Sequence, residues 1–200
     1  MSPAPQPSRR EVATAGHTGD GTVALAGLSA DDPEVRATAL GALERLDQLD
    51  DAHLVAALSD SEMSVRRRAA QVAATHPGVD LVGALNDADD RVVEVAAWSC
   101  GEHESSRDAV IERLLELAVN SSEPLVRESA VAALGAIGDE RGVETIIAAC
   151  SDKPAVRRRA VLALSPFLGD SEVEATVDRA LEDRDWQVRQ AAEDLRRITG

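Results

Sequence analysis

The side chains from which this 200-residue chain could build chemistry are four histidines, two cysteines, two runs of three arginines and Trp98. His103 precedes Glu104, a pairing able to ligate a metal, but His17, His53 and His76 are followed by Thr, Leu and Pro. One pair is too few ligands for a metal centre, so a lone loop histidine reads as a solvated group. Cys100 and Cys150 belong to no Cys-x-x-Cys motif, which excludes a thioredoxin-type centre and a zinc ribbon. They read as free thiols packed like small apolar groups. No Gly-rich phosphate loop, nucleophile elbow or metal-spaced His/Cys cluster occurs. These residues predict no enzyme: no catalytic group, no cofactor and no metal.

What remains is binding chemistry. The runs Arg66–Arg68 and Arg157–Arg159 are local basic spots on a chain of formal charge −15. Arg67, Arg68, Arg158 and Arg159 could recognise an acidic peptide or a phosphate, or they could be solvated side chains paired with nearby acids. A nucleic-acid partner is not expected, because phosphate binding wants a broadly basic face. No stretch approaches the length of a membrane span, and the N-terminus has no apolar run of the secretory kind. A reducing, cytoplasmic setting is therefore expected.

The elements that position these groups follow from a repeated pattern. Val35, Val65, Val92, Val126, Val156 and Val188 are each followed four residues later by alanine, at intervals of 30, 27, 34, 30 and 32 residues. An apolar or small residue stands seven before each valine, from Leu28 to Leu181. Periods of this size mean stacked helical hairpins. First helices are predicted at roughly 21–29, 51–59, 78–86, 107–119, 140–150 and 171–182. Second helices are predicted at roughly 33–46, 63–75, 90–100, 124–137, 154–165 and 186–198. Pro33, Pro124 and Pro154 sit two before the valine, in the first helical turn where proline costs least. Asp31, Asp60, Asp87, Asp152 and Asp183 are predicted to accept free N–H groups at the second helices' starts, and Gly138 and Gly169 to stop helices.

Hydrophobic residues make up 44% of the chain and aromatics 2%, so the core must be Ala, Val and Leu in thin layers. Residues 1–18, with three prolines and no period, read as a disordered tail, and 19–200 as the repeat array. Positions five and eight after the valine are apolar in five units but Glu193 and Arg196 in the sixth. That predicts a polar terminal cap, with Gly200 as a natural end.

On LSDSEMSVRRRAAQVA (58–73), VNSSEPLVRESAVAALGAIGD (119–139) and LEDRDWQVRQAAEDL (181–195) the chain resembles HEAT repeats of the short bacterial, phycobilin-lyase type. The resemblance implies an all-α, right-handed α-solenoid (an α-α superhelix) of about six helical hairpins, with the second helices lining a concave face. It also implies that Arg36, Arg66, Arg127, Arg157 and Arg189, each directly after its valine, form a ladder with the turn aspartates. HEAT-type di-iron hydroxylases acting on a modified lysine need several His–Glu pairs, and HEAT-like DNA glycosylases need a basic face. This chain offers neither.

The third unit departs from the ladder, with Val93 in the arginine's place. Val95 and Trp98 fall three and six after Val92, on the side that elsewhere carries Thr38, Arg68, Ser129 and Arg159. Trp98 is then either an exposed anchor or a filler among alanines. The expectation is a monomeric, non-catalytic scaffold whose concave face holds a partner protein or peptide through Trp98, Val95, Arg67, Arg68, Glu128, Arg158 and Arg159. The alternative is a bilin or other cofactor lyase, or its accessory. A detached structural module of a larger enzyme fits the polar cap less well.

Overall fold

Every second helix starts where an acidic turn meets a residue that tolerates the first helical position. The computed structural model describes residues 6–103 and 107–199, and among these it has twelve α-helices and no strand. They are α1 (Arg9–Thr18), α2 (Gly21–Gly27), α3 (Pro33–Arg45), α4 (Asp51–Ala57), α5 (Met63–Val72) and α6 (Asp90–Glu102). Then come α7 (Asp108–Asn120), α8 (Pro124–Ile137), α9 (Val143–Ala149), α10 (Pro154–Ala163), α11 (Ser171–Ala180) and α12 (Trp186–Thr199). The chain divides into two units, Met1–Asp80 and Leu81–Gly200.

Pro33, Pro124 and Pro154 open α3, α8 and α10 as the spacing requires. The turn aspartates act one step earlier than predicted. The N-caps proper are Asp32, Glu62, Asp89, Glu123 and Lys153. Asp60 accepts instead from the N-cap amide of Glu62 at 2.9 Å, and Asp87 likewise from Asp89 at 2.9 Å. Asp152 accepts from Lys153 at 2.6 Å. Each aspartate thus shapes the turn and keeps its carboxylate available to a neighbour. Gly138 ends α8 in the left-handed conformation, φ 70°, its N–H donating to Leu134 O. Gly169, φ 105°, lies in the connection before α11 rather than at a helix end.

Two segments depart from the sequence reading. The unstructured tail predicted over 1–18 is instead a helix over its second half. Ser8 and Glu11 form a capping box at the start of α1. Val12 is fully buried, and a Cβ added at Gly27 would lie 2.9 Å from it. Helix α1 packs on α2 and α3, in the place a preceding second helix would take. It escaped notice because it has no Val-Arg-x-x-Ala pattern. The reverse happened at 78–86, predicted helical but observed as turns ending in a 3₁₀ turn at Ala84–Asn86. Gly78 and Gly83 lower helix propensity there, while Val79, Leu81 and Leu85 remain buried and keep the segment's core role.

Within the second unit, the second helices α6, α8, α10 and α12 pack on one another more extensively than the first helices do. Small residues permit it. A Cβ added at Gly101 would lie 3.0 Å from Ala133 Cα, and one at Gly135 would lie 2.6 Å from Ala163 Cα. The larger core side chains sit between hairpins: Ile111, Leu114, Leu134, Ile146 and Leu164 are fully buried.

Candidate functional site

The arginine ladder sets the spacing on which any surface site depends. Arg36 forks onto Asp60 through Nε at 2.8 Å and Nη2 at 2.7 Å, and its Nη1 donates to Ala30 O at 2.9 Å. Arg127 repeats this on Asp152 (2.6 and 2.8 Å), and Arg157 on Asp183 (2.9 and 2.8 Å). Each fork joins one hairpin's turn to the carboxylate of the next. Arg66 and Arg189 also bond their own turns, donating to Asp60 O at 2.9 Å and Asp183 O at 2.7 Å. The hydrogen bonds from the guanidinium groups hold the Asp60, Asp152 and Asp183 carboxyls below their ordinary range. Arg36, Arg127 and Arg157 spend their forks on neighbouring turns and carry structure.

Where the ladder lacks its arginine, a groove opens between α6 and α8. Asp90, Glu94, Trp98 and Glu102 recur every four residues and share one face of α6. Leu125, Ser129, Ala132 and Ala136 form the facing wall on α8, and Ala133 and Gly101 let the helices close beneath it. The groove encloses about 400 Å³ and is also lined by Glu128 and Arg159. A second hollow shares Glu94 and Leu125 and continues past Asp89, Asp90 and Glu123. Trp98 is 42% exposed and Leu125 64% exposed, large apolar surfaces left uncovered beside each other.

The predicted site residues divide. Trp98 faces the groove. Val95 does not: it is buried at 7% exposure, as is Val93 at 3%, so Val95 offers no binding surface. Its position faces the crevice beside the neighbouring helix. A long arginine there reaches out to water, as Arg68 and Arg159 do in part, and a valine is too short to follow. Glu128 is enclosed and not a free rim charge, with Arg158 at 3.8 Å and Arg159 at 3.7 Å from its Oε1. Arg67 and Arg68 belong to the first unit. There Arg67 is exposed, and Arg68 lies over Gly41 and donates to Gln71 at 2.9 Å. Within the second unit Trp98, Glu128 and Arg159 line one groove, with Arg158 also near Glu128. The residues missed were Glu94, Glu102 and Leu125. The four-residue spacing around Trp98 was the signal for the first two.

His103, expected to be solvated, is buried at 8% exposure, and its partner Glu104 lies outside the described residues. Cys100 is buried, and burial pushes the Cys150 thiol up to about 12, far from a reactive thiolate. Among the described residues no group of His, Cys, Asp and Glu could hold a metal ion, and no helix is long and apolar enough to cross a membrane.

A profile of HEAT repeats matches residues 79–165. No curated protein matches the chain in sequence. Among solved structures, the chain is similar to the YibA protein of E. coli at 22% identity and TM-score 0.62, covering 80% of this chain and 62% of that one. An engineered protein aligns at 19% identity and TM-score 0.65, covering 98% and 62%. The complex of CpcE and CpcF of phycocyanin lyase from a Nostoc species aligns at 21% identity and TM-score 0.62, covering 96% and 77%. The chain spans under two thirds of the first two structures. At these identities the likeness shows the fold alone, an α-solenoid, and the HEAT-repeat profile covers only the stretch 79–165.

Proposed function

We propose that the protein is a non-catalytic interaction scaffold that holds a partner protein or peptide in the α6–α8 groove, with Trp98 as the anchor. The supporting observation is the adjacent exposure of Trp98 and Leu125 in one hollow over an alanine floor. Exposed tryptophan in a shaped hollow is the kind of group that carries binding energy. The first prediction is that Trp98→Ala weakens partner capture by roughly tenfold or more, with helicity and melting temperature nearly unchanged, because the side chain is half in solvent. The measurement is affinity capture from the native host, followed by titration of the purified captured protein against wild type and variant. A collapsed melting temperature with unchanged binding per folded molecule would make Trp98 a packing residue and end this reading.

A second reading, a bilin or other cofactor lyase or its accessory, draws on the likeness to CpcE and CpcF. Mixing the pure protein with a bilin decides it: a shifted visible absorbance spectrum supports the lyase reading, and an unshifted one removes it.

A further inference from the structure

The groove's charge specifies its occupant further, given that the groove is the docking site argued above. Asp90, Glu94 and Glu102 place three carboxylates at four-residue spacing along the stripe that holds Trp98. Asp90 and Glu94, four residues apart, are like charges that repel each other on the helix surface. No ion pair relieves Asp90, Glu94 or Glu102 among the described residues. Of the two cations at the edges, Arg91 is forked onto Asp89 at 2.8 Å, and Arg159 lies 3.7 Å from Glu128. The exposed indole therefore has a carboxylate one helical turn to either side. An aromatic face attracts a cation, and more so where flanking carboxylates add their field.

We propose that the partner segment is basic, and that it seats an arginine or lysine side chain on the Trp98 ring between Glu94 and Glu102 while an apolar neighbour packs on Leu125. An acidic or phosphorylated segment would meet the same carboxylates and be repelled. The charge also acts at a distance, since a basic segment is drawn toward a chain of net charge −15.

The test uses isothermal titration of the full chain with three short peptides: alternating Arg–Leu, alternating Gln–Leu and alternating Glu–Leu. The Arg–Leu peptide should bind at least roughly tenfold more tightly than Gln–Leu, and Glu–Leu should not bind. The preference should shrink in high salt and in the double variant Glu94→Gln with Glu102→Gln, which removes self-repulsion and so should fold at least as well as wild type. Trp98→Leu keeps an apolar surface without the π face. It should retain Gln–Leu binding and lose most of the arginine preference. Equal binding of the Arg–Leu and Gln–Leu peptides would overturn the basic partner while leaving the groove reading intact. So would an arginine preference that survives both variants. Binding of all three peptides unaffected by Trp98→Ala would instead remove the groove reading itself.

Discussion

Arg157 is more enclosed than its counterparts, its side chain 6% exposed against 16% for Arg36 and 12% for Arg127. Its fork onto Asp183 and its bond to Asp152 O join two turns through one planar group. Lysine keeps the charge but not the fork. Arg157→Lys should cost about 1–3 kcal/mol, read from urea midpoints. A variant as stable as wild type would show that the charge alone suffices. The aspartates' sign follows. Their folded pKa values lie below 3.8, so the ladder's stabilisation is present above that value and is lost as pH falls through the depressed ones. His76 works in the opposite direction. Burial alone would lower its pKa, but hydrogen bonds to Glu44 at 2.8 Å and Asp51 at 3.0 Å outweigh that and raise it above 6.5. Its contribution is therefore full below pH 6.5 and is lost as pH rises through the raised value. His76→Gln should flatten the fall in stability as pH rises above 6.5. A fall of undiminished size would assign it to other groups.

At the scale of elements, the close approach of second helices rests on glycine. Gly135→Ala would drive a Cβ to 2.6 Å from the Ala163 backbone, which cannot yield as a flexible side chain can. The substitution should cost about 1–3 kcal/mol despite alanine's better helix propensity. Leu134, fully buried beneath α9, sets the same register from the other side. Leu134→Ala should cost roughly 2–5 kcal/mol, and Arg196→Ala, at the equivalent position of the last unit, less. Equal losses in thermal denaturation would contradict the stacking register. The hairpins were legible because Val and Ala recur in every copy, and Arg in five of six, at positions that face the same way. The absent helix at 78–86 was not, since its buried Val79, Leu81 and Leu85 fit a helical and a turned backbone alike. Helix α1 was hidden for the converse reason, a capping box and one buried valine without the repeat's marks. At the site, Trp98 could be found from sequence, but Val95's burial could not. Outward reach there depends on side-chain length, not on register.

At the scale of the whole molecule, the two units each hold their own buried layers. In repeat proteins stability is close to a sum of local and nearest-neighbour contributions. Leu134→Ala should therefore raise amide exchange across residues 81–199 well before it does so across 6–80, by hydrogen–deuterium exchange in mild urea. Uniform acceleration would mean that the units unfold as one. The ladder carries a different consequence, for how copy number can change. Arg36, Arg127 and Arg157 each carry half of a joint whose other half waits in the following turn. Excising residues 127–156 would join Val126 directly to Arg157 and hand Asp183 an unbroken partner. A cut elsewhere strands one half. Gain or loss of whole hairpins is thus cheap only in steps that begin and end at the same rung, which makes the guanidinium–carboxylate joint a ready seam for lengthening or shortening this chain.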